Sequence, residues 1–355
     1  MQNFLWFIIV ISVVVFVHEM GHFLFARYFG VKVEKFSIGF GPALVKFLDN
    51  KGTEWRISAI PLGGYVQMYG EENFNKKSSH QVIEEGDAIQ SNISFSKKPL
   101  YQKSLIAAAG PIANYVLSAL LFIFIIYKSG LTSISTRIDS VTDNSIAFHL
   151  GIEKDDAIIS INQRVADKSL EDIILQTHHK ENFSIALQKK SGKIQNIEVE
   201  FQENWEYSSD FFHDIKFQKT HIPLNFIQSC AAGIQKSAQI SFLMIKGIYE
   251  MITGNIDIKS MGGPVAIAQY SKKAADGGYI SLLWFIAIFS LNLGLLNLIP
   301  IPVLDGGQLF LYGIEAIIRR PIPEKIKAFI MSVGMLIVFF IMSIAIYSDF
   351  QRIFF

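Results

Sequence analysis

The amino-acid sequence predicts a polytopic α-helical membrane protein with four transmembrane helices, a membrane-associated β-hairpin or small sheet, and an inserted extracytoplasmic α+β domain. Half of its 355 residues are hydrophobic and only 18% are charged, against about a quarter in average proteins. The mean hydropathy of +0.33 agrees with a chain that lies largely in lipid. Four apolar stretches are long enough to cross a bilayer, which takes about 20 residues: 4–29, 104–127, 279–303 and 328–347.

The charge balance and the cysteine count exclude several classes of protein. A formal net charge of +1 gives no nucleic-acid-binding footprint, so no nucleic-acid partner is expected. The single cysteine, Cys230, excludes an internal disulfide and a cysteine zinc knuckle, and its small, apolar neighbours indicate a buried, unreactive thiol. The pattern divides the chain into four parts: membrane half 1–128, inserted domain 129–203, amphipathic helix and loop 204–278, and membrane half 279–355.

The first apolar stretch contains a metal-binding pattern, His18-Glu19-Met20-Gly21-His22. On a helix this spacing puts His18 and His22 one turn apart on one face, where two neutral imidazoles can share a zinc ion. Glu19 projects beside them and can take a proton from the water that the metal activates. Ionisable side chains are costly in hydrocarbon, so their presence in a membrane span indicates function.

The basic residues after the first span predict its orientation. A signal peptide is disfavoured, because the stretch has neither a basic n-region nor a small-residue cleavage site. Arg27, Lys32 and Lys35 follow the span, so the positive-inside rule places this end in the cytoplasm and the N-terminus outside. Four spans then return the C-terminus to the outer side.

Residues 33–70 change from helical to strand-like patterning. Gly39-Phe40-Gly41-Pro42 is a turn signal, and residues 49–52 separate two further short strands. One interpretation is a cytoplasmic hairpin without a role. The favoured one is a sheet edge that dips toward the membrane, because the segment is too apolar for a free loop. A polar cytoplasmic loop, 71–103, follows it.

The second span begins with small residues that allow helices to approach closely, Ala107 to Asn114. Pro111 frees a backbone carbonyl that another group must satisfy. Asn114 is either a hydrogen-bonding contact between helices or a site residue, and the sequence leaves both open.

The segment 129–203 alternates in polarity like a soluble sheet. Its strands surround one short helix that begins at Ser169, with a glycine turn at Gly151, and this order looks like a PDZ domain. PDZ domains bind peptides by adding a strand to a sheet edge. After it, residues 224–251 show the spacing of an amphipathic helix, which lies on the membrane surface or against the core.

The end of the third span contains a second group of candidate site residues. Asn297, Pro300 and Pro302 break the helix near its inner end, and Asp305 lies where the span meets the cytoplasmic loop. A carboxylate there completes a zinc site of two histidines and one carboxylate, with one position open for water. Asp305 could instead cap a helix over 306–318. Its match in depth to the two histidines favours the ligand.

Several motifs together resemble the site-2 protease family, in its bacterial branch. They are His18–His22, Gly110–Asn114, the PDZ-like block, Gly262–Ala268 and Asn297–Gly307. The resemblance covers nearly the whole chain, although it has one PDZ block where the longest members have two. It implies a zinc protease of the bacterial inner membrane, with one Zn2+ per chain. The implied substrates are transmembrane segments of single-span proteins, such as pre-cut anti-sigma factors, and remnant signal peptides.

The same resemblance implies where the substrate binds. The hairpin, with Gly39 and Gly41, would hold it as an added strand. Asn297, Pro300 and Pro302 would unwind and seat it, and Asn114 is a further candidate contact.

Two other functions remain open. A membrane scaffold with a non-functional metal motif would contain no stoichiometric zinc. A membrane zinc protease of the CAAX-processing type would take a glutamate as third ligand, and Glu315 and Glu324 are the candidates.

Overall fold

The structure is a computed structural model that describes residues 2–71, 92–166, 182–200, 211–212, 214–255 and 262–354. It forms two compact units, Met1–Ile125 with Cys230–Phe355, and Ile126–Ser229. The helix expected from Ser169 and most of the polar loop 71–103 lie outside the described residues.

Helices dominate the first unit and strands the second. The helices are α1 (Gln2–Tyr28), α2 (Leu100–Ser129), α3 (Ile146–His149), α4 (Phe226–Ile252), α5 (Pro264–Asp276), α6 (Tyr279–Asn297), α7 (Asp305–Ile318) and α8 (Glu324–Phe354). The strands are β1 (Val33–Leu48), β2 (Glu54–Met68), β3 (Leu131–Val141), β4 (Ala157–Ile161), β5 (Arg164–Val165), β6 (Phe183–Gln188), β7 (Ile194–Val199) and β8 (Ile215–Ile222).

Four of the described helices are long and apolar enough to cross a membrane, as the sequence predicts: α1, α2, α6 and α8. The third span ends at Asn297 and not at residue 303 as expected. The physical reason is that Pro300 and Pro302 lack the N–H groups that would continue the helical ladder.

Strands β1 and β2 form a sheet directly after α1. The turn expected over 49–52 is present, and the Asp49 carboxylate holds it by accepting from Arg27 at 2.8 Å and from the Thr53 N–H at 2.9 Å. Desolvation opposes these bonds, but together they lower the pKa of Asp49 to about 2. The expected turn at Gly39–Pro42 is instead a bend inside β1, where Gly39 and Gly41 adopt φ of +89° and +85°.

Because β1 and β2 both bend, four segments lie side by side in this sheet, and residues 43–48 and 64–68 are the outer two. Residues 43–48 pair with 54–58, whereas residues 33–38 pair with 64–68 and also lie beside 54–57. Within the described chain, residues 64–68 therefore have a strand neighbour on one side only.

One end of the sheet, around Phe36 and Trp55, packs against α1, whereas the other end, which includes residues 44–48, is exposed. Phe36 is buried, with its ring centroid 4.5 Å from that of Trp55, which in turn lies 5.1 Å from Phe23 of α1. The apolar side chains over 44–48 are more than half exposed, which favours lipid around them.

The second unit is a six-stranded sheet in the order β7-β6-β4-β3-β8, with β5 beside β4. Its core includes Ile138, Ile158 and Leu187. Strand β8 lies beyond the expected domain end at residue 203, and it pairs with β3 from Leu131 opposite Ile222. The chain therefore enters and leaves this unit on neighbouring strands.

Helix α4 agrees with the expected amphipathic helix. Gly233 faces Ile123 of α2, where an added Cβ would lie 2.5 Å from the Ile123 side chain, so this part packs against the membrane core. Phe242 and Tyr249 are exposed. Cys230 is half-buried, less enclosed than its neighbours indicate, because this end of α4 is partly open, with Phe226 and Ile227 exposed.

Candidate metal centre

Two glycines bring α1 and α2 together around the histidines. A Cβ on Gly21 would lie 2.3 Å from the Ala109 carbonyl oxygen, and a Cβ on Gly110 would lie 2.2 Å from His22 Nε2. The His22 ring therefore rests on the surface of α2, where its Nδ1–H donates to the Ile106 carbonyl at 2.8 Å. That bond leaves the Nε2 lone pair free for a metal.

His18, His22 and Asp305 converge on one point. His18 Nε2 lies 3.2 Å from His22 Nε2 and 3.1 Å from Asp305 Oδ2, and His22 Nε2 lies 3.5 Å from Asp305 Oδ1. Ligand atoms about 2.0–2.2 Å from a tetrahedral zinc are about 3.3–3.6 Å apart, so these side chains fit that ion. Both imidazoles are buried, as a protein ligand set in a membrane span requires.

Asp305 reaches this point as the first residue of α7. The N-cap position belongs to Leu304, and no side chain caps this helix end, so Asp305 does not make the alternative cap bond. Gly306 and Gly307 let the loop fold back tightly, because a Cβ on either would lie within 2.2 Å of the Leu298 or Ile301 carbonyl oxygen.

Glu19 faces a cavity of about 670 Å³ that the three candidate ligands also line. Its side chain is 8% exposed, and Gly64 of β2 packs against it: a Cβ there would lie 2.8 Å from Glu19 Cγ. Residues 63–66 and Met68 form the sheet wall of the cavity. The outer segment of the sheet is therefore next to Glu19.

A third acidic side chain, Glu71, lines the cavity beside Glu19 and Asp305. Its carboxylate accepts a hydrogen bond from the Met68 N–H at 3.3 Å, and burial raises the pKa of this carboxyl above its ordinary value. Neither Gly64 nor Glu71 is among the site residues predicted from the sequence. The Gly63-Gly64 doublet was a signal for the first, whereas nothing in the local pattern separates Glu71 from a solvated loop.

The two predicted asparagines both lie against His18. Asn297 Nδ2 is 3.4 Å from His18 Nε2, and Asn114 Nδ2 is 3.3 Å from His18 Nδ1. Asn114 is fully buried between helices, and its main-chain carbonyl accepts from Ser290 Oγ at 3.0 Å. It is thus both a contact between helices and a neighbour of the candidate ligand.

The other predicted substrate contacts, Gly39, Gly41, Pro300 and Pro302, are not among the residues that line the cavity. Pro302 packs on α8, where a Cβ on Gly334 would lie 2.9 Å from the Pro302 ring. Gly39 packs against the Ile60 carbonyl. Pro300 and Gly41 likewise lie in the segments beside the cavity, whereas the lining residue from this part of β1 is Phe40.

The alternative third ligands lie elsewhere. Glu315 accepts a hydrogen bond from the Ile322 N–H at 3.1 Å, and Glu324 begins α8. Among the described His, Cys, Asp and Glu residues, the group with metal-binding geometry is His18, His22 and Asp305. The structure thus brings Asp305 to the histidines, and not Glu315 or Glu324.

Comparison with known proteins shows which protein family the chain belongs to. The model of peptidase family M50 matches residues 6–341. The chain belongs to peptidase family M50. It is an enzyme of the peptidase class, and the resemblance to site-2 proteases is confirmed.

Curated members of family M50 align along almost the whole chain. A relative in Rickettsia conorii, provisionally named a zinc metalloprotease, is 34% identical over all of both chains. One in Campylobacter jejuni with the same provisional name is 34% identical over 99% of this chain and 94% of its own. The regulator of sigma E protease of Haemophilus influenzae is 28% identical over 99% of this chain and 100% of its own.

Proposed function

We propose that this M50 peptidase is a zinc-dependent intramembrane endoprotease that hydrolyses peptide bonds within transmembrane segments of single-span membrane proteins. The convergence of His18, His22 and Asp305 around one point, with Glu19 in the same cavity, carries the proposal. The relatives named zinc metalloproteases support the choice of metal. We assign one Zn2+ per chain to the two imidazoles and the carboxylate.

The catalytic work divides between the metal and the side chains around it. Zinc, when bound, polarises the scissile carbonyl and lowers the pKa of the attacking water. Glu19 accepts the proton of that water and returns it to the leaving amine. Its 8% exposure keeps bulk water from competing for the carboxylate. Asn297, 3.4 Å from His18 Nε2, is close enough to contact a substrate bound there.

A transmembrane substrate must be unwound before cleavage, because intrahelical hydrogen bonds shield its amides. Residues 64–68 offer a partly unpaired strand edge beside Glu19. An extended substrate segment that pairs with this edge recovers backbone hydrogen bonds that hydrocarbon cannot supply. We propose that pairing with this edge unwinds the substrate helix. Gly39 and Gly41 shape the bend in β1 behind the edge. Asn297, Pro300 and Pro302 hold the bound substrate strand in place.

The membrane setting and the name of one relative support the choice of substrate. The Haemophilus protein is named regulator of sigma E protease, which favours an anti-sigma factor. We propose that this factor reaches the enzyme after another protease has cut it outside, as the family resemblance implies. Remnant signal peptides are a second substrate of the same chemistry. We assign both termini and the PDZ-like unit to the outer side of a bacterial inner membrane, with the active site near the cytoplasmic face; the positive-inside pattern of the sequence supports this orientation.

Substitution of the candidate base tests this function. Glu19→Gln keeps the shape of the side chain and removes its basicity, so it should retain zinc and lose cleavage of a model single-span substrate by about 100-fold or more. The measurement pairs metal analysis with a cleavage assay on the purified, full-length protein. Undiminished cleavage by Glu19→Gln would reject Glu19 as the base. A wild-type protein with neither zinc nor cleavage would favour the alternative function, a membrane scaffold with a non-functional metal motif.

A further inference from the structure

We infer that Asn114 is a positioning residue that fixes the tautomer of His18 through its amide oxygen. The inference rests on the proposed zinc site and adds to it a residue of α2 that determines which ring nitrogen of His18 carries the proton. It assigns Asn114 to the support of the metal, where the sequence offered it as a contact to substrate.

The geometry around Asn114 leaves one polar atom without a partner. Its side chain is fully buried, with Nδ2 3.3 Å from His18 Nδ1. The amide oxygen, Oδ1, is buried and has no hydrogen-bond partner. A buried acceptor without a partner is destabilising, so this arrangement is unfavourable unless another state of the site satisfies the oxygen.

Metal binding supplies that state. His18 Nε2 is the nitrogen that faces His22 and Asp305, so a metal bound there requires a neutral ring with its proton on Nδ1. An Nδ1–H opposite the amide NH2 of Asn114 would set two donors against each other. Rotation of the amide by half a turn exchanges its two ends, and Oδ1 then accepts from His18 Nδ1–H.

The two histidines therefore differ in how they are held. The acceptor for His22 Nδ1–H is the main-chain carbonyl of Ile106, which no substitution removes. For His18 the acceptors are the Asn114 amide oxygen that we infer, which a substitution removes, and the Gly110 main-chain carbonyl, which it does not. Loss of the Asn114 oxygen should therefore weaken metal binding and not abolish it.

A purely structural role does not need the amide. The hydrogen bond that joins α2 to α6 at this position runs from Ser290 Oγ to the main-chain carbonyl of Asn114. Any residue at position 114 keeps that bond. The side-chain amide is thus left with His18 as its described partner.

Three variants of the full-length protein in detergent test the inference. Asn114→Leu keeps the volume and removes the acceptor, whereas Asn114→Asp keeps an oxygen in reach of His18 Nδ1. Ser118→Ala is the control, since Ser118 is fully buried one turn along the same helix. The readouts are the dissociation constant for Zn2+, measured by competition with a chelator, the Co2+ absorption spectrum, and the thermal unfolding of the metal-free protein.

Zinc affinity should fall about 10- to 100-fold in Asn114→Leu, stay within a few-fold of wild type in Asn114→Asp, and be unchanged in Ser118→Ala. Equal zinc affinity in Asn114→Leu and wild type would overturn the inference while leaving the zinc site intact. Equal losses in Asn114→Leu and Asn114→Asp, matched by equal drops in metal-free unfolding temperature, would overturn it in favour of a structural role. A wild type that binds no zinc overturns the proposed function itself. Should Asn114→Leu not fold, zinc retention by Asn114→Asp supports the inference and zinc loss contradicts it.

Discussion

A single missing side chain, that of Gly110, gives His22 its place on α2. A Cβ at this position would lie 2.2 Å from His22 Nε2, the atom that would bind the metal in the proposed site. Gly110→Ala should therefore push the ring away and lower zinc affinity by at least 10-fold. Metal titration of the purified variant measures this.

Gly313→Ala is the matched control for Gly110→Ala. Gly313 is also inside a helix, on the element that carries Asp305, but nothing lies within 4 Å of an added Cβ there. It should bind zinc like wild type and be slightly more stable, because alanine is the better helix former. Wild-type zinc affinity in Gly110→Ala would show that the ring position does not depend on this contact.

The candidate ligands could be found from sequence because their signals are local. His18 and His22 are four residues apart on one helix, and the prolines before Asp305 mark a broken span at matching depth. Gly64 and Glu71 could not be found this way. Their nearness to Glu19 arises from a strand that bends back on itself, which depends on pairing between residues about 30 positions apart.

At the scale of elements, α5 depends on a carboxylate from a distant helix. Asp349 of α8 is 3% exposed and accepts from the N–H groups of Gly263 and Val265 at 3.0 and 2.8 Å. These are donors at the N-terminus of α5 that have no partner within that helix. A Cβ on Gly263 would lie 2.5 Å from the same carboxylate, which explains the glycine there.

Asp349→Ala should release the N-terminus of α5 and reduce stability by about 1–3 kcal/mol. Hydrogen exchange of the Val265 and Ala266 amides should become faster, while exchange in β6 stays the same. Asp276→Ala is the control, because that side chain is exposed at the other end of α5. Unchanged amide protection in Asp349→Ala would mean that water replaces the carboxylate at no cost.

The bounds of the membrane helices were predictable, but those of the sheets were not. Long apolar runs located all four spans, although the helix of the fourth runs from 324 to 354 around the predicted 328–347, and the third ends early where the prolines stop it. The bend at Gly39–Pro42 was misread as a turn because glycine permits both. Strand β8 was missed because its partner, β3, lies more than 70 residues earlier, and pairing at that distance leaves no local pattern.

At the scale of the whole molecule, the second unit is an insertion with neighbouring ends. Leu131 pairs with Ile222, so strands about 5 Å apart carry the chain in and out. Replacement of residues 132–221 by a short Gly-Ser linker should therefore preserve the membrane helices and their metal. Zinc content of the shortened protein is the check on that expectation.

The shortened protein should also cleave a broader set of substrates. We propose that the PDZ-like unit excludes membrane proteins with bulky outer domains, so its removal should expose intact precursors to cleavage. Cleavage of one substrate with and without its outer domain, by both forms of the enzyme, measures this. If intact precursors still escape the shortened protein while trimmed ones are cut, the unit is not the filter.

In the proposed site, His18 and His22 of α1 and Asp305 at the start of α7 together hold one catalytic metal. Zinc stoichiometry of purified wild type, Asp305→Ala and Glu315→Ala tests it most directly. We expect about one zinc per chain in the wild type and in Glu315→Ala, and far less in Asp305→Ala. Full zinc occupancy in Asp305→Ala, or loss of zinc in Glu315→Ala alone, would contradict it.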